Sequence, residues 1–194
     1  MEEFRLDLPD SEISYCPYFL SSDEANRYFG LFMKTVPWQQ DAISVFGKTY
    51  PQPRLTALYG DNDKPYSYSN ITMRPHKFTP ELLLLKEKLE HRVQTRFTSC
   101  LLNLYRNGRD SNGWHADNEK ELGRNPIIAS LSLGQERTFQ LKHRKNKNLK
   151  HKMILGNGSL LIMQGATQHH WLHQVPKTLK DVGPRINLTF RIIR

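Results

Sequence analysis

The sequence predicts an α+β protein in one domain, with two helices in its N-terminal half followed by a sandwich or jelly roll of short strands. The chain has 194 residues, a length that suits a single hydrophobic core. Helix start signals occur before residue 98, whereas short β-like runs separated by turn residues fill the rest. We therefore expect one domain over 1–194, with a helical part over about 1–97 and a strand-rich core over about 98–194.

The composition is typical of a globular protein from a reducing compartment. Hydrophobic residues make up 38% and charged residues 24% of the chain, and no run approaches the ~20 apolar residues of a membrane span. The acidic start, from Met1 to Arg5, lacks the apolar core of a signal peptide. Two cysteines, Cys16 and Cys100, cannot build a disulfide framework. We expect a cytoplasmic protein (nuclear as well in a eukaryote) without membrane association.

The positive charge is concentrated in the C-terminal half. The chain carries 28 basic and 19 acidic residues, a formal charge of +9. Residues 98–194 hold 16 basic and 6 acidic side chains, whereas residues 1–97 hold 12 and 13. A one-sided basic surface favours a polyanionic partner, because neutralising phosphates releases condensed counterions. A surface that is basic only for solubility would have the same composition, so charge alone leaves nucleic acid as one of two interpretations.

Two helices are predicted from their start signals. Ser21 and Glu24 form a capping box, followed by apolar residues on one helical face. Thr79 and Pro80 begin a second helix, in which Leu82, Leu85 and Leu89 lie in line.

Seven short runs after residue 98 are predicted to be strands. The turn signal Gly156-Asn157-Gly158 separates two of them, and many short strands in series are typical of a sandwich or jelly roll. The predicted strands are Leu101–Arg106, Ile127–Leu133, Thr138–Lys142, Lys152–Leu155, Ser159–Met163, Gln168–Gln174 and Arg185–Ile193.

The last predicted strand has an unusual polar face. Its alternation places Arg185, Asn187, Thr189 and Arg191 on one side and apolar residues on the other. Planar guanidinium groups suit a bidentate grip on a carboxylate, although a strand with one face in water alternates in the same way. Asn103 and Tyr105 point one way from another strand. Two such strands indicate a barrel that holds a small anion.

Three residues form a candidate metal site. In an extended segment His115 and Asp117 present their side chains on the same side, as two adjacent metal ligands must. A third ligand could come from His173, with His169 and His170 as alternatives. Two histidines and one carboxylate leave coordination positions open, the arrangement of non-haem Fe(II) oxygenases, and zinc could occupy a similar set.

Five motifs in series resemble the AlkB family of Fe(II)- and 2-oxoglutarate-dependent dioxygenases, which repair alkylated nucleic acid. The resemblance runs from about Val45 to Arg191, with the motifs in the family's order. The residues of these motifs are most similar to those of the two animal homologues that act on DNA and RNA. The motifs are Asn103-Leu-Tyr105-Arg-Asn, Trp114-His115-Ala-Asp117-Asn-Glu119, Pro126-Ile-Ile-Ala-Ser-Leu-Ser-Leu, Gly158-Ser-Leu-Leu-Ile-Met and Pro184-Arg185-Ile-Asn187-Leu-Thr189-Phe-Arg191.

The resemblance implies a double-stranded β-helix (jelly roll) core, with the N-terminal helices packed on one side, and specific roles. His115, Asp117 and His173 would bind Fe(II). A second set would hold the co-substrate 2-oxoglutarate, with one arginine on its distal carboxylate. The implied reaction uses O2 to demethylate N-alkylated bases of the 1-methyladenine and 3-methylcytosine type, releasing formaldehyde, succinate and CO2. The residues implied for 2-oxoglutarate are Asn103, Tyr105, Arg185, Asn187, Thr189 and Arg191.

The resemblance also indicates where a flipped base would be recognised. Tyr66 and Tyr68 match aromatic lid positions, although paired aromatics in a strand most often pack in a core. Asn118 and Glu119 could hydrogen-bond the base edge; the duplex-acting homologue has an acidic residue where Asn118 stands. The segment around Arg54 is similar to the homologue that prefers single strands.

Phe46, Gly47 and Lys48 resemble the finger that wedges a phenylalanine into duplex DNA. An ordinary hairpin with an inward phenylalanine would have the same sequence. Signatures of both homologues therefore occur in this chain, and the sequence leaves its preference for single or double strands open.

The basic run from Lys142 to Lys152 lies between two predicted strands and is expected to contact phosphates, with Lys177 and Lys180 as further candidates. The implied partner is DNA or RNA, and the resemblance implies a monomer. Two alternatives remain from the sequence. One is a 2-oxoglutarate-dependent hydroxylase that acts on a protein or small molecule, and the other is a nucleic-acid-binding module without catalysis.

Overall fold

A computed structural model describes residues 2–45, 48–63, 66–68 and 71–194 of the chain. The helices are α1 (Ser22–Thr35), α2 (Pro80–Val93) and the short α3 (Thr167–His170), with a 3₁₀ turn at Lys120–Leu122. The strands are β1 (Phe4–Arg5), β2 (Glu12–Cys16), β3 (Ala42–Val45), β4 (Lys48–Pro51), β5 (Leu55–Gly60), β6 (Tyr66–Tyr68), β7 (Ile71–Met73), β8 (His76–Lys77), β9 (Ser99–Tyr105), β10 (Asn112–His115), β11 (Ile128–Gly134), β12 (Arg137–His143), β13 (Lys150–Leu155), β14 (Leu160–Gln164), β15 (Trp171–Val175) and β16 (Arg185–Arg191).

Among the described residues, an eight-stranded and a four-stranded sheet form the body of the protein. The large sheet has the order β1-β2-β14-β11-β16-β9-β5-β8, and the small sheet has the order β10-β15-β12-β13. One apolar cluster joins inward residues of both sheets, such as Ile128 and Leu161 with Phe139 and Trp171. The two sheets therefore face each other, and the space between them is where a site can be enclosed.

The other face of the large sheet packs against the helices. Phe32 of α1 and Leu85 of α2 share one apolar cluster with Leu102, Leu188 and Phe190 of the central strands. Because side chains alternate along a strand, the neighbours of these apolar residues point to the opposite face. The alternation thus leaves the polar residues of β9 and β16 between the two sheets.

Both predicted helices are present and begin as their sequences indicate. Ser21 caps α1, and its side chain and that of Glu24 exchange hydrogen bonds with each other's backbone in a capping box. The hydroxyl oxygen of Thr79 accepts from the Leu82 N–H, with Pro80 as the first helical residue. These local signals need no tertiary contact, which is why the sequence predicts them well.

Three parts of the sequence prediction need correction. The N-terminal half contributes β1, β2, β5 and β8 to the large sheet, although none of these strands was predicted from the sequence. The strand predicted from Gln168 begins only at Trp171, because residues 167–170 form a helical turn. The extended segment expected through Asp117 ends at His115 with β10, and Asp117 lies in the following loop.

The predicted finger falls largely outside the described residues. Phe46 and Gly47 are not described, whereas Lys48 begins β4, which pairs with β3 in an antiparallel ladder, and is exposed. Tyr66 and Tyr68 lie in β6, which pairs with β7. In the described part of the chain, no helix is long and apolar enough to cross a membrane.

The loop after β9 is held by one buried carboxylate. Asp110 accepts hydrogen bonds from the backbone N–H of Arg106 (2.9 Å) and from its guanidinium nitrogens Nε (2.8 Å) and Nη2 (2.9 Å). Burial alone would raise the pKa of Asp110, but the hydrogen bonds and charge of Arg106 outweigh it and lower the pKa below the ordinary 3.8. The ionised form is therefore favoured in the folded protein.

We expect Asp110→Asn to lower the free energy of unfolding by about 1–3 kcal/mol at pH 7, because partners of a buried group lose their hydrogen bonds. A pKa lowered by folding contributes stability above the ordinary pKa and loses it as the pH falls through the folded value. Urea unfolding should therefore show a difference between wild type and variant that shrinks below about pH 4. The exposed Asp181→Asn is the control; an equal loss there, or a difference that does not shrink as the pH falls, would contradict this role.

Candidate metal centre and anion site

A cavity between the two sheets collects the polar residues singled out in the sequence. Strands β9 and β16 line it from the large sheet, and β10, β12 and β15 line it from the small one. The predicted site residues that line it are Arg54, Asn103, Tyr105, His115, Asp117, His173, Arg185, Asn187, Thr189 and Arg191.

His115, Asp117 and His173 lie together at one end of this cavity. Strands β10 and β15 pair so that His115 stands opposite His173, and their ring centroids are 4.2 Å apart. Nε2 of His115 lies 3.7 Å from Oδ1 of Asp117. One ligand atom from each residue lies within 4.8 Å of the other two. A cross-strand pair and the following loop thus bring three donors to one point.

The proton positions on His115 favour metal binding. Its Nδ1 lies 2.7 Å from the carbonyl oxygen of Gly113, which can only accept, so Nδ1 carries the proton and donates. Nε2 is then the acceptor atom, contacted at 3.2 Å by the side-chain amide of Asn112. A metal-binding histidine commonly donates its other N–H to a carbonyl in this way.

Asp117 is held in place from two sides. Its Oδ2 accepts from Nη2 of Arg191 at 2.9 Å, and its backbone N–H donates to Oε1 of Gln168 at 2.9 Å. Its other carboxylate oxygen, Oδ1, is buried without a hydrogen-bond donor among the described residues. One anionic oxygen therefore stays available for a cation beside the two histidines.

The charge states suit a divalent metal. Burial alone would raise the pKa of Asp117, but Arg191 and the two neighbouring histidines hold it at about 2. Burial and the adjacent His115 lower the pKa of His173 to about 3, and burial lowers the pKa of His115 as well. An ionised carboxylate and two neutral imidazoles are the forms that bind a metal, and this donor set fits Fe(II) with positions left open.

A second group of possible ligands contains one of the alternatives considered from the sequence. Asp10, His143 and His170 also lie within 4.8 Å of one another through their ligand atoms. However, Nδ1 of His143 accepts from two backbone N–H groups, those of Lys145 and Asn146. Its proton therefore sits on Nε2, the atom that faces Asp10 at 3.4 Å. A metal there would have to displace this proton, so the tautomer disfavours the group as a metal site.

His169 is also placed away from the metal centre. Its Nε2 lies 2.9 Å from the side-chain oxygen of Asn125, and the residue is exposed. Among the alternatives raised from the sequence, the structure therefore brings His173 to His115 and Asp117, and places His169 and His170 elsewhere.

Arg185 forms an anion site in the same cavity. The residue is 1% exposed, its guanidinium lies over the Tyr105 ring at 5.3 Å, and Nη2 donates to the hydroxyl of Ser132 at 2.8 Å. Nε and Nη1 are buried without hydrogen-bond partners among the described residues. Burial, with Arg137 nearby, lowers the pKa of Arg185 to about 10. A buried cation with two unused N–H groups is suited to a carboxylate.

The two arginines of β16 therefore differ in role. Arg191 donates to the carboxylate of Asp117, whereas Arg185 lines the cavity with two donors that have no partner among the described residues. Between them, Thr189 donates to the Asn187 side-chain oxygen, and Asn187 donates to the hydroxyl of Ser130. This chain of hydrogen bonds fixes the floor of the cavity between metal centre and anion site.

The residues predicted to contact the substrate differ in how deeply they are buried. Arg54 is buried, and its Nε donates to Oδ1 of Asn103 at 2.7 Å. Asn118 is exposed in the loop after Asp117, and Glu119 is partly buried with its Oε2 lacking a hydrogen-bond partner among the described residues. Burial and the charge of Asp117 raise the pKa of Glu119.

Gln168 supports the candidate metal centre, although no feature of the sequence singled it out. It is fully buried and orients Asp117 although it lies 51 residues further along the chain. No local pattern signals such a contact, because a buried glutamine inside a polar run resembles any turn residue. Ser130 and Ser132, which hold Asn187 and Arg185, were missed for the same reason.

We expect Gln168→Met to weaken metal binding by about 10- to 100-fold, the usual effect of losing a residue that orients a metal ligand. Methionine fills a similar volume but cannot accept the Asp117 N–H. Titration with Fe(II) under anaerobic conditions measures the effect, with Gln174→Met as the matched control, because Gln174 lies on the same strand as His173 but its side chain bonds Gln140. An unchanged affinity in Gln168→Met would contradict the positioning role.

The fold and the site together define a class of protein, and a family profile names it. The profile of the 2OG-Fe(II) oxygenase superfamily matches residues 12–191, and the chain belongs to this family. The Fe(II), 2-oxoglutarate and O2 expected from the sequence are the metal and co-substrates that this family implies. The solved structure of OsALKBH1 superposes with a TM-score of 0.67 at 17% identity, covering 98% of this chain and 100% of that one. The predicted jelly roll is thereby confirmed.

Curated relatives confirm the resemblance to the AlkB family. The alpha-ketoglutarate-dependent dioxygenase alkB homolog 3 of Bos taurus is 45% identical over 192 residues, covering 94% of this chain and 66% of that protein. The DNA oxidative demethylase ALKBH2 of Arabidopsis thaliana is 38% identical over 94% of this chain and 67% of its own length. The human ALKBH2 is 34% identical over 88% and 69%. The chain thus spans just under two thirds of the length of the alkB homolog 3 relatives it matches.

Proposed function

We propose that this protein is an Fe(II)- and 2-oxoglutarate-dependent dioxygenase that demethylates N-alkylated bases, of the 1-methyladenine and 3-methylcytosine type, in DNA or RNA. One observation carries the proposal: the His115-Asp117-His173 group, in which Asp117 and His173 are buried, shares a cavity with a buried Arg185 that has donors without partners among the described residues. Relatives at 33–45% identity include proteins named DNA oxidative demethylases, which supports a nucleic-acid substrate.

The residues of this chain would hold both cofactors. The triad would bind Fe(II), and Nε and Nη1 of Arg185 would hold one carboxylate of 2-oxoglutarate, with Asn103, Tyr105, Asn187 and Thr189 lining its path. When bound, Fe(II), 2-oxoglutarate and O2 supply the oxidation of the N-methyl group, which leaves as formaldehyde beside succinate and CO2. Arg191 keeps Asp117 ionised and oriented.

Substrate recognition requires that the methylated base leave the base stack and enter the cavity. We assign its contacts to residues around the metal centre and in β6. Glu119 supports this assignment, because its partly buried carboxylate has an oxygen without a donor among the described residues and lies two residues after Asp117. The residues assigned to the base and its strand are Lys48, Arg54, Tyr66, Tyr68, Asn118 and Glu119.

The basic segment between β12 and β13 is assigned to the phosphate backbone. Lys145 and Lys147 are exposed in this segment, and Lys177 and Lys180 are further candidates. Phosphate contacts set affinity and register but carry no sequence information. Neutralising Lys145 and Lys147 should weaken binding to all sequences about equally and flatten the dependence on salt.

The predicted wedge, Phe46 with Gly47, stays a proposal about residues outside the described part of the chain. Phe46→Ala should lower the repair rate on duplex DNA more than on single strands, because the wedge offsets the few kcal/mol of unstacking that only a duplex requires. Parallel rate measurements on one oligonucleotide, with and without its complement, decide this. Equal losses on both substrates would remove the wedge.

The test of the proposed function is reconstitution of the full chain with Fe(II) and 2-oxoglutarate without oxygen, followed by air and an oligonucleotide that carries one 1-methyladenine. Mass spectrometry should show loss of one methylene from the base, together with formaldehyde and succinate. Succinate without repair would move the substrate to a protein or small molecule. Absence of both products would overturn the dioxygenase itself.

A further inference from the structure

The outer face of the small sheet carries a groove that the proposed reaction does not use. It has a volume of about 480 Å³ and is lined by the aromatic ring of Trp114 and by residues of β12 and β13. Because side chains alternate along each strand, Gln140, Lys142, Lys150 and Lys152 point away from the cavity between the sheets, whereas Leu141 packs in the core that the two sheets share. The groove is lined by Trp114, Gln140, Leu141, Lys142, Lys150 and Lys152, with His151 beside them.

Trp114 presents an exposed aromatic face next to the metal centre. It is 38% exposed and directly precedes His115 on β10. The ammonium nitrogen of Lys142 lies 4.3 Å from its ring centroid, so a mobile cation covers part of a ring that is otherwise exposed to solvent. The other two tryptophans are less accessible, since Trp171 is buried and Trp38 is partly buried against the core.

The lysines of the groove face one another instead of acidic partners. Lys142 of β12 stands directly opposite Lys150 of β13, and Gln140 stands opposite Lys152. Like charges at directly opposed positions destabilise a sheet, and none of the described side chains that line the groove is acidic. The arrangement is therefore complementary to an anionic ligand that would lie across both strands.

We propose that this groove binds the single-stranded part of the nucleic-acid substrate that flanks the modified base, with one base stacked on Trp114 and its phosphates on Lys142, Lys150 and Lys152. The proposal rests on the proposed function for the class of its ligand. Lys142 would exchange its contact with the ring for a phosphate, while a base takes the ring face. Stacking on an aromatic residue beside a cationic track is how single strands are held without sequence preference.

An acidic peptide is the alternative ligand, and the tryptophan argues against it. A peptide carboxylate would use the three lysines but gain nothing from a flat aromatic surface, whereas every nucleobase has a face that stacks. The position next to His115 also favours a strand whose neighbouring nucleotide has entered the cavity. We therefore interpret the groove as part of the path of the nucleic-acid strand that leads to the cavity, and not as an independent binding surface.

Binding of an unmodified single-stranded DNA oligonucleotide to the full chain tests the proposal without any requirement for turnover. Trp114→Ala should weaken binding about tenfold, whereas Trp114→Phe, which keeps a stacking ring, should retain most of the affinity. The exposed Tyr18→Ala is the aromatic control. Binding should quench tryptophan fluorescence in the wild type and quench it far less in Trp114→Phe, a signal that a purely structural role would not move.

Two further measurements distinguish a nucleic acid from an acidic peptide as the ligand, and failure of the groove proposal from failure of the proposed function. Lys142→Gln, Lys150→Gln and Lys152→Gln should each lower the salt dependence of binding by about 0.7 in slope. In repair assays, Trp114→Ala should raise the ratio of KM for an oligonucleotide to KM for a methylated mononucleotide about tenfold. Absence of repair in the wild type would overturn the proposed function, while the binding assay would still decide the groove. Unchanged oligonucleotide affinity in Trp114→Ala, or equal competition by polyglutamate, would overturn the groove proposal.

Discussion

Replacing His115 by alanine is expected to abolish turnover and to lower the affinity for Fe(II) by more than about 100-fold. Losing a residue that only orients a metal ligand already costs about 10- to 100-fold, and His115 is one of the three residues proposed to bind the metal directly. Because its side chain is only partly buried, the variant should stay folded. Its salt-sensitive binding to oligonucleotides should persist, since the lysines of the β12–β13 segment are unchanged.

The measurement is an anaerobic metal titration beside a thermal melt and an oligonucleotide titration on the same sample. His169→Ala is the matched control, because it removes a nearby histidine whose ring contacts Asn125 instead of the metal group. Parallel loss of metal binding, oligonucleotide binding and thermal stability in His115→Ala would assign this residue a structural role.

Arg185→Lys should raise the KM for 2-oxoglutarate by about 10- to 100-fold. Lysine keeps the charge but loses the planar fork, and hydrogen bonds to a charged group are each worth about 1.5–3 kcal/mol. In the wild type, Nε and Nη1 are buried without partners among the described residues, while Nη2 already donates to Ser132. The affinity for Fe(II) should change little, since Arg185 does not touch the triad.

The same substitution at Arg137 is the control. Arg137 also lies over the Tyr105 ring, at 5.7 Å, but its guanidinium donates to carbonyl oxygens of Asn107, Asp110 and Pro176. Arg137→Lys should therefore lower thermal stability with little effect on the KM for 2-oxoglutarate. An unchanged KM in Arg185→Lys, or an equal rise in both variants, would contradict the assignment of Arg185.

The alternation of polar and apolar residues in β16 shows which part of the candidate site can be predicted from local sequence. Alternation alone predicts that its polar side chains share a face, and in the structure Arg185, Asn187, Thr189 and Arg191 do line one cavity. Alternation cannot distinguish the two arginines, however. Only the approach of Asp117 from another part of the chain occupies Arg191 and leaves the donors of Arg185 unused.

For the candidate metal triad, too, the sequence predicted one part of the arrangement and the tertiary structure decided the rest. The spacing of His115 and Asp117 predicted that their side chains would lie on the same side of one strand. In the structure, however, the strand ends at His115, before Asp117. Asp117 reaches the site because Gln168 holds its backbone and Arg191 holds its carboxylate. The choice of His173 over His170 follows from the pairing of β10 with β15 and from the proton on Nε2 of His143.

The sequence by itself determined the α+β class, both helix starts, the strand-rich C-terminal half and, through its motifs, the family. Capping residues, alternation and turn residues act over a few positions, so a single chain segment contains all the information they need. The tertiary structure alone decided that β1, β2, β5 and β8 complete the large sheet, which arginine has donors without partners among the described residues, which histidine lies beside His115 and Asp117, and where Trp114 is exposed. Each of these depends on residues that are distant in the chain, because burial and hydrogen-bond partners are properties of the packed sheets and not of any one segment.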